Sequence, residues 1–181
     1  MEFRKDKFKG LVHYICWKCT DPSRLGAVKL NKILWFSDII AFATLGESIT
    51  GAPYIKRRSG PVPKPILPAL RELVNENRVR IEEVEYFGRP KKQYISLCEP
   101  DRSIFTDEQL RIIDDALKSI AEHHTASSIS NLTHDDIWKL VEDGEEIPYF
   151  AVLASRLGEI NDADREWAQQ RLSASKKPAT S

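Results

Sequence analysis

Two cysteines separated by two residues are the first group in this sequence that could do chemistry. Cys16 and Cys19 enclose the segment CWKC, and two thiolates one helical turn apart could form a redox dithiol or half of a metal site. A thioredoxin-type pair lies at the start of a helix, where the helix dipole stabilises thiolate. This pair lies at the end of a predicted helix, where the dipole disfavours thiolate. Zinc would need two more ligands, and the remaining cysteine is Cys98. We therefore predict that Cys16 is a core residue and expect no metal or cofactor.

Histidine and acidic side chains form the second group. Three of the four histidines lie in AEHHTAS and LTHDD, and His134 is followed by Asp135 and Asp136. These residue types suit acid–base or metal chemistry, but the same pattern is typical of a helix N-cap with acids in the first turn. No nucleophile is paired with a base, so we expect that the protein is not an enzyme.

The segment SITGAPYIKRRSGPVPKPILPAL, residues 48–70, concentrates basic residues, glycines and prolines. It lacks the Gly-x4-Gly-Lys-Ser/Thr pattern of a phosphate-binding loop. Pro61 and Pro63 also remove backbone donors that such a loop would need. We expect instead a stiff connector that either presents YIKRR to a partner or simply ends a loop and starts a helix.

Basic residues at two places could together form a surface for nucleic-acid phosphates. They are Lys56, Arg57 and Arg58 in the connector and Arg89, Lys91 and Lys92 in a predicted hairpin tip. Against this, 27 Lys and Arg balance 27 Asp and Glu, so no overall field attracts nucleic acid or an anionic membrane. Nucleic acid is therefore not expected as the main partner.

Composition indicates one compact unit that lies in the cytoplasm. The 181 residues and a hydrophobic fraction of 41% suit one domain with its own core. No apolar run reaches the length of a membrane span, and MEFRKDKFKG does not resemble a signal peptide. An odd number of cysteines is consistent with reduced thiols.

Hydrophobic spacing predicts the elements that must position these groups. Helical periods cover residues 2–19, 23–46, 66–77 and 106–124. Gly46 is placed to cap the second helix, and Thr106 with Gln109 forms a capping box at the fourth. RVRIEEVEYF and KQYISLC predict two β-strands joined by GRPKK as a longer loop, with a bulge near Glu82 and Glu83.

The predicted fold is therefore mainly α with one antiparallel β-hairpin, an α+β arrangement. The order of three helices and a hairpin also matches a winged helix, which stays open as an alternative. Shorter helical pieces follow after residue 125, then a helix over 159–172. The polar stretch 173–181 is expected to be disordered.

Two separated motifs carry a family resemblance. The first lies in LNKILWFSD, ITGAPY and GPVP, and the second in LTHDDIW and IPY. The matching positions are Leu30, Lys32, Phe36, Asp38, Thr50, Gly51, Gly60, Pro61, His134, Trp138 and Pro148. Together they resemble the Panacea domain of SocA-like antitoxins, also called the GepA-like family of phage and mobile-element proteins. The resemblance covers most of residues 8–153, and we expect the domain to span 1–158.

The resemblance implies an antitoxin that neutralises a toxin, encoded by a neighbouring gene, through direct protein–protein binding. For some members it also implies delivery of the toxin to a protease. We expect the toxin to contact the connector and the hairpin, at Tyr54, Lys56, Arg57, Arg58, Pro61, Val62, Arg89 and Lys91. The alternative is a winged-helix-like DNA-binding regulator that uses the third helix and the hairpin tip.

Overall fold

A computed structural model describes residues 1–128 and 141–150 of the chain. Several expectations lie outside these residues. They are the roles of His134 and Trp138, the helix over 159–172 and the disordered tail over 173–181.

The described helices agree with the periodicity, with one change of boundary. They are α1 (Lys5–Lys18), a short 3-10 helix (Pro22–Arg24), α2 (Ala27–Leu45), α3 (Ile66–Asn75) and α4 (Asp107–His123). The second helix does not begin at Ser23 as predicted. The side chain of Asp21 accepts a hydrogen bond from the Ser23 amide at 3.0 Å, which caps the separate 3-10 helix. Gly26 then has extended backbone and precedes α2.

The local end signals of the helices are confirmed. Gly46 follows α2 in the left-handed conformation, with φ of 79°. At α4, Thr106 Oγ1 accepts from the Gln109 amide at 3.2 Å, and the Gln109 side chain accepts from the Thr106 amide at 3.3 Å. These groups satisfy amides that would otherwise lack a partner at the first turn.

The described residues form two small antiparallel sheets, where one hairpin was predicted. β1 (Tyr54–Ile55) pairs with β2 (Val62–Pro63), and β3 (Val79–Tyr86) pairs with β4 (Arg89–Ser96). The prediction missed the first sheet because strands of two residues are too short to show an alternating pattern. The broader prediction of a mainly helical α+β fold is confirmed.

The β3–β4 hairpin has a tighter turn than predicted. Its register is continuous past Glu82 and Glu83, without a bulge, and Tyr86 pairs with Arg89. The turn is therefore Phe87–Gly88, with φ of 50° and 70°. Such a two-residue turn, with positive φ at both positions, matches the twist of the flanking strands. Most of GRPKK consequently lies in β4 and not in a loop.

One hydrophobic core joins the helices to both sheets. α2 packs against α4, α1 and β2, whereas α1 also packs against α3 and β4. The fully buried side chains come from every described α-helix: Phe8, Leu11, Ile15, Leu30, Ile33, Leu34, Leu73 and Ile113. α2 is buried around most of its circumference, as its apolar residues predicted. It is therefore the element on which the connector is mounted.

Candidate functional site

Residues 46–65, which we call the connector, link α2 to α3 and fold into a hairpin through β1 and β2. At its turn, the Arg57 amide donates to the Gly60 carbonyl at 3.2 Å, and the Gly60 amide donates back at 2.6 Å. Gly60 has φ of 99°, a conformation that favours glycine. The turn therefore holds Arg57, Arg58 and Ser59 at the tip of the connector, and all three are exposed.

A buried carboxylate on α2 fixes the body of the connector. Asp38 accepts hydrogen bonds from the Thr50 amide at 2.7 Å, from Thr50 Oγ1 at 2.6 Å and from the Tyr54 hydroxyl at 2.8 Å. All three residues are fully buried. Burial raises the pKa of the Asp38 carboxyl, and the hydrogen bonds from Thr50 and Tyr54 partly oppose that rise. Burial and the nearby Asp38 also raise the pKa of the Tyr54 hydroxyl.

The chain start packs closely on the same part of the connector. Gly51 has φ of 66°, and a Cβ at this position would overlap the carbonyl oxygen of Glu2. The Gly51 amide donates to Ser48 Oγ at 2.8 Å. The Arg4 amide donates to the Thr50 carbonyl, also at 2.8 Å. Glycine is thus required at residue 51 both for its backbone conformation and for the close approach.

Residues 141–149, which we call the strap, pair with the outer edge of β1. Backbone hydrogen bonds of 2.8 to 2.9 Å run from Lys56 N to Glu145 O, from Gly144 N to Lys56 O and from Ile147 N to Tyr54 O. Ile55 and Glu146 also form an isolated antiparallel bridge. The edge of β1 is therefore already occupied by a distant part of the same chain.

Side chains anchor the strap at both ends. The Tyr149 hydroxyl donates to the Ala52 carbonyl at 2.7 Å, and its ring lies 6.0 Å from that of Tyr54 and 6.2 Å from that of Trp35. At the other end, Lys56 Nζ donates to the Val141 carbonyl at 2.6 Å. The connector is thus held by α2 beneath it and by the strap along one edge.

Ion pairs between the connector and the strap are exposed. Arg57 lies 3.3 Å from Asp143, and Lys64 lies 3.1 Å from Glu146. Half or more of each side chain is exposed, so such pairs add little stability. Arg58 is exposed and has no ion pair within residues 1–128 and 141–150. The connector tip therefore keeps a cation that is open to a partner.

Most of the family-motif residues are structural. Leu30, Lys32, Asp38, Thr50, Gly51, Gly60 and Pro61 are buried, whereas Phe36 and Pro148 are half-buried. The structure brings the first motif and the IPY segment together, because Tyr149 contacts the connector through Ala52 and Tyr54. No pattern in the sequence indicated this contact beyond the presence of both motifs in one chain.

The residues predicted to contact the toxin differ in their exposure and in their position in the fold. Arg57, Arg58 and Arg89 are exposed, Lys56, Val62 and Lys91 are half-buried, and Tyr54 and Pro61 are buried. Six of the eight lie in the connector, but Arg89 and Lys91 belong to the separate β3–β4 sheet. Tyr54 can therefore shape the connector, whereas a direct contact would have to use the exposed arginines.

Lys32 is a buried cation within α2. Its side chain is 1% exposed, and burial lowers the pKa of its ammonium group to about 7. A charged lysine in the core is rare because removing the charge from water is costly. The sequence contained one signal for this residue, a lysine inside a helix that is apolar around most of its circumference.

The cysteines considered for chemistry are core or surface residues. Cys16 is buried, and burial raises the pKa of its thiol to about 12, which disfavours a nucleophilic thiolate. Cys19 is also buried, whereas Cys98 is exposed. Within the described ranges, no group of His, Cys, Asp and Glu could hold a metal ion. Among the helices described, none is long and apolar enough to cross a membrane.

Comparison with known proteins identifies a family match. Residues 30–139 match the family model described as Antitoxin SocA-like, Panacea domain. This range contains most of α2, the whole connector, α3, the β3–β4 hairpin and α4. It ends before the IPY segment of the strap. No curated protein and no solved structure matches the chain. Because the match spans more than half of the sequence and includes the buried Asp38–Thr50–Tyr54 cluster, this chain belongs to the SocA-like antitoxin family with a Panacea domain.

Proposed function

We propose that this protein is an antitoxin that neutralises a cognate toxin by binding it directly. The observation that carries the proposal is the family match over residues 30–139. A binding role is also consistent with the buried polar side chains of Asp38 and Ser48, which accept hydrogen bonds from connector amides. The proposed role is therefore recognition of a protein partner.

The connector has the physical properties of a recognition loop. Its backbone is fixed by the Asp38 hydrogen bonds, by the β1–β2 pairing and by the strap. Prolines on both sides of Val62 further restrict the chain. A loop that is already ordered loses little conformational entropy when it binds, so more of the contact energy contributes to affinity.

We propose that the exposed connector tip contacts the toxin. Arg57 and Arg58 are exposed in the turn, whereas Tyr54 and Pro61 of the same connector are buried. Arginine is enriched at protein interfaces because its planar guanidinium group can pair with carboxylates. The toxin surface that meets this tip should accordingly be acidic.

The DNA-binding alternative has less support from the exposed face of α3. That face carries Leu67, 59% exposed, and Val74, 39% exposed, with Arg71 as its one cation. A helix that enters the major groove would present several polar side chains able to reach base edges and phosphates. Exposed apolar side chains are more typical of a surface that meets protein.

Growth rescue in a bacterial host tests the proposal. The product of the neighbouring gene is expressed alone and together with this protein, and the two are then copurified. We expect toxicity from the neighbour alone, and rescue with a stable complex on coexpression. A neighbour that is not toxic, or rescue without a complex, would overturn neutralisation by direct binding.

Charge reversal then tests the connector. Arg57→Glu with Arg58→Glu should weaken the complex, whereas Arg111→Glu with Lys118→Glu on the exposed side of α4 should not. Equal affinity in both double variants would exclude the connector tip as a contact. The toxin half-life measured in the same cells, with and without this protein, tests delivery to a protease. Salt-dependent binding to the promoter DNA of the gene pair tests the regulator alternative.

A further inference from the structure

Phe87 lies in an unusual backbone conformation and buries almost none of its side chain. It is the first of the two turn residues between β3 and β4, with φ of 50°, and Gly88 follows with φ of 70°. Asparagine, aspartate and glycine favour the first position of such a turn, whereas a bulky residue there is an outlier. The Phe87 side chain is 88% exposed. The described chain therefore gains no burial that would offset the strain.

The neighbouring side chains hold this aromatic group in a defined position. The rings of Tyr86 and Phe87 lie edge to face, with centroids 4.6 Å apart and an angle of 84° between planes. Lys91 Nζ lies 4.4 Å from the centroid of the Tyr86 ring and donates a hydrogen bond to the Ser23 carbonyl in the 3-10 helix. Lys91 thereby ties the hairpin tip to the body of the protein.

The charge around the tip indicates the chemistry of its partner. Arg89 pairs across the hairpin with Tyr86, is exposed and has no ion pair within residues 1–128 and 141–150. Large aromatic residues and arginine are the side chains that most often dominate the energy of protein interfaces. Glu85 is also exposed beside the turn, so the tip presents charges of both signs beside its aromatic rings. These features favour a protein partner over DNA.

We propose that the Tyr86–Phe87 pair is an anchor for the toxin. The Phe87 ring enters an apolar pocket on the toxin, and Arg89 pairs with a carboxylate at the pocket rim. This inference rests on the proposed antitoxin function and adds a second contact to the connector tip. The proposal also gives the strained turn a role, because its backbone conformation leaves the Phe87 ring exposed to a partner.

The variant Phe87→Asn should change binding to the toxin without weakening the fold. Asparagine before Gly88 is a favoured sequence for this turn, so the variant should keep or raise the melting temperature of the isolated protein. It should weaken binding to the purified neighbouring-gene product by about tenfold or more, because a buried aromatic anchor is lost. Leu97→Asn is the matched control. It removes another exposed apolar side chain, 48% exposed, just beyond the opposite end of β4, and should leave affinity unchanged.

The outcomes distinguish the two proposals. If the wild-type protein does not bind the neighbouring-gene product, the antitoxin function fails, and the anchor fails with it. If the wild type binds and Phe87→Asn binds equally well, the anchor alone is overturned. A third result, in which Phe87→Asn keeps its affinity for the toxin but loses affinity for promoter DNA, would reassign the tip to nucleic acid.

A photo-crosslinker at residue 87 tests the contact directly. Benzoylphenylalanine in place of Phe87 should crosslink to the toxin, at a peptide with apolar residues and at least one nearby Asp or Glu. The same crosslinker at Leu97 should give no toxin adduct. Equal crosslinking from both positions would show contact without a specific pocket and would overturn the anchor.

Discussion

The carboxylate of Asp38 accepts a hydrogen bond from the Tyr54 hydroxyl at 2.8 Å, in a site where both side chains are fully buried. This bond connects the central helix α2 to the first strand of the connector. Thr50 satisfies the remaining carboxylate positions through its amide and its hydroxyl. The shape of the exposed tip therefore depends on a polar cluster that is fully buried.

Removing the Asp38 carboxylate should destabilise the protein strongly. In Asp38→Ala, three buried donors lose their acceptor, which should lower the free energy of unfolding by about 3 kcal/mol or more. Tyr54→Phe removes one hydrogen bond and keeps the ring, so it should cost about 1 kcal/mol. Urea denaturation followed by circular dichroism measures both. Thr44→Ala, at an exposed position of the same helix, is the control. A cost for Asp38→Ala no larger than that of the control would contradict the assigned role.

Lys32 should make stability rise with pH above neutrality. Burial lowers the pKa of its ammonium group from 10.5 to about 7, so between these values the unfolded chain binds more protons than the folded one. Stability then increases by at most about 1.4 kcal/mol per pH unit across that window, and below it this dependence disappears. Unfolding of the wild type and of Lys32→Met is compared at pH 7.0 and 8.5. The wild type should gain stability relative to the variant by about 1.6 kcal/mol over that interval, because the folded-state group is only half protonated at pH 7.0.

Other groups also titrate in alkaline solution. The quantity to compare is therefore the difference in free energy of unfolding between the wild type and Lys32→Met at each pH. Lys118→Met changes an exposed lysine on α4 and should give a curve parallel to that of the wild type. If Lys32→Met also gave a parallel curve, the ammonium group of Lys32 would not titrate near neutral pH in the folded protein.

A side chain at residue 51 should disrupt the docking of the chain start on the connector. Gly51→Ala introduces a Cβ that overlaps the Glu2 carbonyl and also strains a backbone with positive φ. Gly46→Ala has a similar φ of 79° but open space around its Cβ, so it isolates the backbone cost of about 1 kcal/mol. Gly51→Ala should exceed that cost in thermal unfolding. Equal melting temperatures for the two variants would mean that residues 1–3 move away without penalty.

The strap should protect the edge of β1 from solvent. Tyr149→Phe removes the bond to the Ala52 carbonyl, so amide exchange at Lys56, Gly144 and Ile147 should become faster. Asp143→Asn removes only an exposed ion pair with Arg57 and should change those rates little. Hydrogen exchange followed by mass spectrometry covers all three amides. Unchanged exchange in Tyr149→Phe would show that backbone pairing alone holds the strap.

The features that the sequence predicted correctly depend on neighbours along the chain. Helical spacing placed α1, α3 and α4 to within a few residues, and Thr106 with Gln109 predicted the capping box, because these signals are contained in one or two helical turns. The hairpin was predicted from its alternation, but its turn was not, since Phe87 gives no sequence indication of positive φ.

Only the tertiary structure decided which of the predicted contact residues are exposed. Tyr54 and Arg57 are three residues apart in the sequence, yet one is buried against Asp38 and the other projects from a turn. The edge of β1 is covered by the strap, about ninety residues further along the chain. No local sequence pattern indicates a pairing between segments that are so far apart. The sequence alone thus determined the α-helices and the two longer strands, and it pointed to the family. Long-range packing determined the buried polar cluster, the lowered pKa of Lys32 and the side chains left for a partner.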